Sequence, residues 1–438
     1  MNSIGIISLG CSKNLTDSEV MLGVLSKEYK IEPDIEKADI IIVNTCCFID
    51  DAKQESIDAI LDAAEYKKKN CKKLVVAGCL AQRYKEEIFK EIPEVDVILG
   101  TADYHRIDEI LAEGKKEAFG DIDKSPDYSC IPRVNSMPFY TAYLKIADGC
   151  DNHCTYCVIP SIRGKFRSRS IEELTAEAKS LAKGGVKEII VIAQNTTDYG
   201  IDIYGKRSLT KLLTELSKIE DIHWIRLHYA YPEGIDDELI RVIADNPKIC
   251  KYLDIPIQHA NDTVLRRMGR RCTKSEMLKL FAKIRKEIPD VTLRTSVIAG
   301  FPGETAAQAE ELCEFIKEIR FDRLGAFSYS REEGTPAAKM DGQIDDDEKA
   351  ARTERLMKIQ SEISLENNKK KIGKTIEVLT EGFDESQMLY FGRSEADSTE
   401  IDGNVYFGSE REISEGEFAL VKILDCSEYD LFGKDEIL

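Results

Sequence analysis

The first 120 residues alternate short apolar runs with amphipathic stretches. This βαβ pattern predicts a parallel sheet covered by helices over residues 1–120. The expected strands are Ile4–Ser8, Ile40–Val43, Leu74–Ala77 and Val95–Leu99. The expected helices are Ser18–Ser26, Ala52–Lys69 and Glu86–Lys90. Asp17 and the pair Asp50–Asp51 stand where acidic side chains favour the start of a helix.

A second α/β pattern follows after a break. Residues 121–138 contain Pro126, Pro132 and Pro138 and have no clear period, which predicts a linker. Six strand-like runs then appear within residues 139–340: Tyr140–Ile146, Glu188–Ala193, Trp224–His228, Tyr252–Ile255, Thr292–Ile298 and Leu324–Tyr329. The helical stretches between them are Ile171–Ala182, Leu209–Ile219, Asp236–Ala244, Lys274–Ile288 and Ala306–Ile319. Six βα repeats predict a partial parallel barrel, (βα)6, with its site at the carboxyl ends of the strands.

The sequence pattern changes in the last part of the chain. Asp345–Lys371 is a charged tract of helical composition, which predicts a connecting helix within residues 341–372. After Gly373, short alternating runs predict a small antiparallel β-barrel over residues 373–438. These runs are Thr375–Leu379, Asn404–Phe407 and Phe418–Ile423. The expected fold class is therefore α/β, with an N-terminal parallel sheet, a central partial barrel and a C-terminal β-barrel.

Composition and charge narrow the class of protein. The 438 residues are 42% apolar and 32% charged, which fits a globular, multidomain chain. The net charge is −19, and Lys371–Leu438 alone contributes −11. An acidic surface repels phosphate backbones, so we expect a basic or neutral partner rather than nucleic acid.

Targeting signals are not found in the sequence. The apolar runs are far shorter than the roughly 20 residues of a membrane helix. Met1–Gly10 lacks the basic segment and cleavage pattern of a signal peptide. We therefore expect a cytoplasmic protein that contacts no membrane. In a reducing compartment, its 13 cysteines favour metal or redox chemistry over disulfides.

Three cysteines form a CxxxCxxC run directly after the first strand of the central domain: Cys150, Cys154 and Cys157. Three thiolates on a short loop can bind three irons of a [4Fe–4S] cubane and leave the fourth iron open to a substrate. A zinc knuckle is the alternative, but no fourth Cys or His completes it at the usual spacing.

Three more cysteines each follow one of the first three predicted strands: Cys11, Cys46 and Cys79. Because parallel strands end at one edge of a sheet, where open sheets bind ligands, this placement predicts a second three-thiolate site. Cys47 competes with Cys46 for that role, and three unrelated buried thiols are the alternative. The remaining cysteines are expected to be structural: Cys71, Cys130, Cys250, Cys272, Cys313 and Cys426.

The CxxxCxxC run, with an aromatic residue before its last cysteine and a βα barrel around it, resembles the radical S-adenosylmethionine superfamily. The resemblance implies that Cys150, Cys154 and Cys157 bind a [4Fe–4S] cluster whose open iron binds S-adenosylmethionine. Reductive cleavage of that cofactor gives a 5′-deoxyadenosyl radical, which the protein has to orient and keep dry.

Other residues near the strand ends are similar to cofactor-contacting segments of that superfamily: Tyr156, Gln194, Asn195, Arg226, Gln258 and Ser296. Each could equally pack in the core or cap a turn. Arg163, Arg167 and Arg169 form a basic patch after the cysteine loop. This patch is expected either to be solvated or to contact an acidic segment of a substrate.

Over essentially the whole chain, the three domains and both cysteine sets resemble the methylthiotransferase family, whose C-terminal barrel is the TRAM domain. Several segments are similar to the branch that modifies ribosomal protein S12: Ser8–Asn14, Asp17–Glu19, Asn44–Ser56, Ile159–Arg169, Gly392–Ser394 and Glu400–Gly403. The tRNA-modifying branch usually has Gln-Met-Asn where this chain has Ser12-Lys13-Asn14. Cys47 stands where the family often has Gly, which leaves the choice between Cys46 and Cys47 open.

The family resemblance implies a radical S-adenosylmethionine methylthiotransferase with two [4Fe–4S] clusters. It would add a methylthio group to the β-carbon of one aspartate of ribosomal protein S12, with the sulfur on the cluster at Cys11, Cys46 and Cys79. A basic ribosomal protein suits the acidic tail. An electron donor such as a flavodoxin or ferredoxin is the second expected partner.

Two alternatives remain at this point. One has the same chemistry on tRNA adenosine, giving a 2-methylthio product, and the acidic tail disfavours it. The other is a non-catalytic iron–sulfur electron carrier, for which open irons would only add sensitivity to oxygen.

Overall fold

The computed structural model describes residues 2–126 and 131–436, so Cys130 and linker residues 127–130 lie outside the described residues. The N-terminal strands are β1 (Ser3–Ser8), β2 (Lys30–Ile31), β3 (Ile40–Thr45), β4 (Lys73–Gly78), β5 (Val97–Leu99) and β6 (Glu117–Ala118). The helices are α1 (Ser12–Leu25), α2 (Asp50–Glu65), α3 (Cys79–Arg83), α4 (Lys85–Glu91) and α5 (Ile107–Ala112). The strands form one parallel sheet in the order β2-β1-β3-β4-β5-β6.

Both faces of this sheet are buried, as in other parallel sheets covered by helices. Ile41 and Val43 of β3 face one core cluster, whereas Ile40 and Ile42 face the other. This two-sided burial explains why the strands are continuous apolar runs in the sequence.

The central part is an open, six-stranded parallel sheet in the order β14-β13-β12-β11-β10-β7. The strands of this sheet are β7 (Thr141–Lys145), β10 (Glu188–Ile192), β11 (Trp224–Leu227), β12 (Ile249–Asp254), β13 (Thr292–Ala299) and β14 (Arg323–Ser328). A separate antiparallel pair is formed by β8 (Ala147–Asp148) and β9 (Arg167–Ser168). The helices are α6 (Ile159–Arg163), α7 (Ile171–Lys183), α8 (Ile201–Tyr204), α9 (Leu209–Ser217), α10 (Asp237–Asp245), α11 (Asp262–Arg267), α12 (Lys274–Glu287) and α13 (Ala306–Ile319).

Side chains alternate between the two faces of the central sheet. Ile189 and Val191 of β10 pack into the large core beneath the helices. Ile190 and Ile192 face the lumen, where Leu15 of α1 packs against them. The N-terminal domain therefore covers the lumen of the partial barrel with its first helix.

The C-terminal part begins with α14 (Asp346–Lys369), which packs on the central core through Leu356 and Ile363. The strands after it are β15 (Thr375–Asp384), β16 (Leu389–Ser394), β17 (Val405–Gly408), β18 (Phe418–Cys426) and β19 (Leu431–Asp435). They close a barrel in the order β15-β16-β17-β19-β18. Short 3₁₀ helices among the described residues are Ile35–Lys37, Tyr66–Lys68, Tyr104–Arg106, Thr196–Asp198, Pro232–Gly234 and Ala337–Lys339.

The expected α/β fold class is confirmed, with three differences in detail. Helix α1 begins at Ser12 rather than at Ser18, so Asp17 lies inside the helix and does not start it. The small barrel is antiparallel except for β17 and β19, which pair in parallel. Strands β16 and β19 had no expected counterpart, because Gly392 and Gly433 interrupt their apolar alternation.

The end of β16 and the segment after it fill the amino-terminal end of the central partial barrel. Arg393 pairs with Glu188 at 2.6 Å, and the Tyr252 hydroxyl donates to Asp402 at 2.7 Å. No helix among the described residues is long and apolar enough to cross a membrane.

Candidate functional site

The first candidate site lies at the carboxyl edge of the N-terminal sheet. Cys46 directly follows β3, Cys79 directly follows β4, and Cys11 follows the end of β1 at the start of α1. Gly10 has a φ of +83°, and a Cβ at Gly10 would lie 2.7 Å from the Cys46 Sγ atom. A glycine is therefore required where the Cys11 loop approaches Cys46.

The thiols of this site are close enough for the pKa values of Cys46 and Cys79 to reflect their neighbours. Burial, together with the neighbouring thiols of Cys79 and Cys11, raises the pKa of Cys46 to about 12. Burial also raises the pKa of Cys79, and the Arg163 guanidinium, 3.6 Å from its Sγ, opposes that rise. A buried thiol becomes a thiolate readily when it binds a metal, so this set suits a thiolate-bound metal group.

Cys47 lies next to the same edge but points into the core. It is fully buried. Burial is the main cause that raises the pKa of Cys47 to about 12, and the Cys79 thiol is the second. The close approach of Gly10 to Cys46 favours Cys46 as the partner of Cys11.

The second candidate site is the loop between β8 and α6. Burial and the thiols of Cys154 and Cys150 raise the pKa of Cys157 to about 12. The Cys157 Sγ accepts a hydrogen bond from the Ile159 amide at 3.4 Å, and the Cys150 Sγ accepts one from the Asn152 amide at 3.4 Å. Amide donors of this kind stabilise sulfur ligands in their charged form.

Space beside this loop can hold more than a single ion. A cavity of about 580 Å³ lies against Cys154 and Cys157, with Arg83 and residues 333–336 on its other walls. No three Cys, His, Asp or Glu side chains among residues 2–126 and 131–436 are arranged to bind one metal ion. A cubane requires a wider spacing, because each thiolate binds a different iron. The cavity beside Cys154 and Cys157 leaves room for a group larger than one metal ion.

A buried ionic network joins the two candidate sites. Arg163 Nη1 lies 2.5 Å from Asp17 and 3.2 Å from Asp148. Lys145 also pairs with both carboxylates. Burial alone would raise the pKa of Asp148, but Lys145 and Arg163 hold it well below its usual range. Charges this deeply buried are stable only when paired, so the network fixes α1 over the barrel.

The basic patch expected after the cysteine loop is not a solvated surface. Arg163 and Arg169 are buried, with 2% and 7% of their surface exposed. Arg169 pairs with Glu177 at 2.5 Å. These side chains hold the fold together and do not lie on an exposed face.

Most residues proposed as cofactor contacts lie towards the carboxyl ends of the central strands. Gln194 donates to Asp148 at 3.0 Å, and its Oε1 is buried without a hydrogen-bond partner among the described residues. Gln258 has a φ of +70° and pairs through its backbone with Ser296 and Ile298 of β13. Tyr156 packs beside an apolar cluster next to the cysteine loop.

Two of the proposed contacts have other structural partners. The Asn195 side chain caps the turn Thr196–Asp198 by accepting from the Thr197 amide. Arg226 donates to Glu188 at 2.9 Å and to the carbonyl oxygens of Ser394 and Glu395. The Arg226 guanidinium therefore lies at the junction with the C-terminal barrel, apart from the cysteine loop.

Arg270 is a candidate that the sequence did not reveal. Its guanidinium lies 4.2 Å over the Tyr231 ring, and Nη2 donates to the Pro256 carbonyl at 2.6 Å. Nη1 is buried and has no partner among the described residues. Burial alone would lower the pKa of Arg270, but Tyr156, Tyr231 and Cys154 raise it. In the sequence, Arg270 belongs to a run of basic residues typical of a solvated helix end.

Three family models match separate parts of the chain. They are described as "Uncharacterized protein family UPF0004" for residues 3–100, "Radical SAM superfamily" for residues 144–316 and "TRAM domain" for residues 372–434. A protein of Lachnoclostridium phytofermentans named "Ribosomal protein uS12 methylthiotransferase RimO" is 52% identical over 99% of this chain and 100% of its own length. This chain belongs to the RimO family. A protein of the same name from Clostridioides difficile is 52% identical over 99% of this chain and 98% of its own length.

Solved structures show the fold of this RimO-family chain in distant proteins. The radical S-adenosylmethionine methyltransferase TsrM from Kitasatospora setae has a TM-score of 0.58 at 13% identity, over 77% of each chain. The cobalamin-dependent S-adenosylmethionine radical enzyme OxsB has a TM-score of 0.54 at 13% identity, over 82% of this chain and 56% of its own. Membership of the RimO family confirms the resemblance drawn from the cysteine spacing.

Proposed function

We propose that this chain adds a methylthio group to the β-carbon of one aspartate of ribosomal protein uS12. The observation that carries the proposal is 52% identity, over nearly the full length, to proteins named as uS12 methylthiotransferases. Two thiol sets on either side of one buried ionic network support the same chemistry, because the reaction needs both a radical source and a sulfur source.

Two [4Fe–4S] clusters and S-adenosylmethionine are the cofactors of this proposal. Cys150, Cys154 and Cys157 bind one cluster. Cys11, Cys46 and Cys79 bind the other. When bound, these groups supply the 5′-deoxyadenosyl radical and the sulfur. Each set leaves one iron of a cubane free for a further ligand.

The chain's own side chains bind and orient the organic cofactor. The free Arg270 Nη1 suits a carboxylate, and the free Gln194 Oε1 suits an ammonium group. Both atoms are buried, so a ligand with these two groups would satisfy donors and acceptors that otherwise cost free energy. Tyr156, Gln258 and Ser296 complete the proposed cofactor contacts, whereas Asn195 and Arg226 act by supporting the surrounding structure.

Water has to be excluded from a radical reaction. Leu15 of α1 packs in the lumen against Ile190 and Ile192, and Asp17 anchors the same helix to Lys145 and Arg163. We infer that the N-terminal domain closes the lumen of the central domain against water. The proposed domains are residues 1–120, 139–340 and 373–438, with the linker 121–138 and the connecting helix 341–372.

The proposed partners follow from charge. The stretch Lys371–Leu438 has a net charge of −11, which attracts a basic ribosomal protein and disfavours tRNA. A flavodoxin or ferredoxin is the proposed electron donor.

The test of this function is the intact mass of uS12 after anaerobic incubation with the reconstituted enzyme, S-adenosylmethionine, a reductant and sulfide. Bulk tRNA is the parallel substrate. The proposal predicts a gain of about 46 Da on uS12, the replacement of H by SCH₃. The same gain on tRNA nucleosides, with unmodified uS12, would overturn the choice of substrate.

A further inference from the structure

Lys13 is a buried cation without a carboxylate partner. It lies on the first turn of α1, two residues after Cys11, and only 7% of its surface is exposed. Its Nζ lies 3.3 Å from the centre of the Tyr229 ring. Within the described ranges 2–126 and 131–436, no Asp or Glu carboxylate lies within 4.0 Å of Nζ. A buried ammonium is expensive unless an anion pairs with it, so this arrangement suits an anionic ligand.

The nearby carboxylates are already paired with other cations. Asp254, a carboxylate whose charge acts on Lys13, pairs with Arg294 at 2.7 Å. Asp17, on the same helix as Lys13, pairs with Lys145 and Arg163. These carboxylates therefore leave Lys13 unpaired, and the Cys11 thiol, whose charge also acts on Lys13, belongs to the proposed cluster set.

Tyr229 is held in place beneath Lys13 by an uncommon backbone conformation. Its φ is +56°, which is rare for an aromatic residue and is found mostly where function requires it. Its amide donates to Asp254 at 3.1 Å, and its carbonyl accepts from the Thr196 amide at 3.1 Å. The ring therefore supports the ammonium without neutralising it.

Lys13 also lies where the edge of the N-terminal sheet meets the central domain. Cys11 is at the start of the same helix, and Tyr229 follows the carboxyl end of β11 in the central domain. The unpartnered atoms that suit S-adenosylmethionine, on Gln194 and Arg270, belong to the central domain. Lys13 is therefore a cation that the N-terminal domain places beside the carboxyl edge of the central sheet.

We propose that Lys13 binds the side-chain carboxylate of the substrate aspartate and positions its β-carbon. This inference rests on the proposed function. The carboxylate carbon is bonded directly to the β-carbon, so an ammonium that binds the carboxylate also fixes the reacting carbon. A charge-assisted hydrogen bond of this kind is stronger and more directional than a neutral one.

The test is a cycle of two enzymes and two peptides. Reconstituted wild-type enzyme and Lys13→Met are titrated anaerobically with a labelled uS12 peptide carrying the target aspartate, and with the same peptide carrying asparagine. We expect the wild type to prefer the aspartate peptide by about tenfold or more, and Lys13→Met to bind both peptides equally. Lys13→Arg keeps the charge and should restore part of the preference.

Controls separate this role from a structural one. Lys27→Met makes the same change at an exposed lysine just after the end of α1, and should keep the wild-type preference. A Lys13→Met enzyme that binds both peptides more weakly but keeps the preference would overturn the proposal, as would a loss of affinity for S-adenosylmethionine alone. Mass analysis of the wild-type reaction tests the proposed function separately. Peptide preference without methylthio transfer would reject that function and not the carboxylate site.

Discussion

Arg163 connects the two candidate sites through Asp17. Its Nη1 lies 2.5 Å from the Asp17 carboxylate on the N-terminal domain, while its Nη2 lies 3.6 Å from the Cys79 Sγ atom. Arg163 itself ends α6, directly after the CxxxCxxC loop. One buried guanidinium therefore bridges the N-terminal thiol set and the helix that follows the CxxxCxxC loop.

Replacing Arg163 by methionine should destabilise the apoprotein. The change leaves Asp17 and Asp148 buried with Lys145 as their remaining cation, and breaking a buried ion pair costs about 3–5 kcal/mol. Urea unfolding measures this loss. Arg207→Met is the matched control, because its pair with Asp198 is largely exposed and contributes at most about 1 kcal/mol. Equal losses in the two variants would contradict the account.

The network also shows where sequence reasoning succeeded and failed. The positions of Cys11, Cys46 and Cys79 could be predicted because each follows an apolar run of a parallel sheet. The role of Asp17 could not, because the first turns of α1 are polar and are buried by ion pairs with distant residues. A helix buried through charge has no apolar period, and so the sequence pattern predicts its start too late.

The proposed cofactor contacts divide in the same way. Gln194 could be found because it follows a strand, and a strand end is visible in the sequence. Arg226 is also on a strand, but the sequence does not show that its guanidinium turns towards Glu188 and the C-terminal barrel. Arg270 became visible only when its unpartnered Nη1 was placed in three dimensions.

Iron content should report the two thiol sets independently. Reconstituted wild-type protein is predicted to hold about 8 Fe per chain, and each triple alanine variant about 4. One variant replaces Cys150, Cys154 and Cys157, and the other replaces Cys11, Cys46 and Cys79. Cys313→Ala, at a buried core cysteine, is the control and should keep the wild-type content. About 4 Fe in the wild type would reject the second cluster.

The same two variants should separate the steps of the reaction. Without Cys150, Cys154 and Cys157, no 5′-deoxyadenosine should form, because the radical source is lost. Without Cys11, Cys46 and Cys79, we expect 5′-deoxyadenosine to form but uS12 to stay unmodified. Chromatography of the nucleoside beside mass analysis of uS12 measures both. If both variants still form 5′-deoxyadenosine, the assignment of the radical site is wrong.

Gly10→Ala should disturb the N-terminal site alone. The residue has a φ of +83°, and the added Cβ would lie 2.7 Å from Cys46 Sγ. We expect a loss of about 4 Fe per chain on reconstitution. Gly114→Ala is a close control, since Gly114 has a φ of +66° but its Cβ would meet nothing within 4 Å. Equal iron content in the two variants would show that the approach of Gly10 to Cys46 is unimportant.

Acid should weaken the junction between the central domain and the C-terminal barrel. Burial alone would raise the pKa of Glu188, but Arg393 and Arg226 lower it from 4.5 to about 2. The ionised Glu188 carboxylate, whose pKa is lowered in the folded state, stabilises the fold above pH 4.5. This stabilisation is lost as the pH falls towards 2 and the carboxylate is protonated. We expect a loss of about 3 kcal/mol across this window.

Urea unfolding of the apoprotein at several pH values checks this expectation. Glu188→Gln cannot ionise, so its stability should fall less steeply over the same window than that of the wild type. Parallel slopes in the two proteins would show that Glu188 does not carry the acid sensitivity.

The most direct test of the proposed reaction follows one hydrogen atom. Ribosomal protein uS12 made with β-deuterated aspartate is incubated anaerobically with the reconstituted enzyme, S-adenosylmethionine, a reductant and sulfide. Because the radical is proposed to remove hydrogen from that β-carbon, the 5′-deoxyadenosine formed should be about 1 Da heavier than with unlabelled uS12. Unlabelled 5′-deoxyadenosine beside methylthiolated uS12 would contradict the proposed reaction.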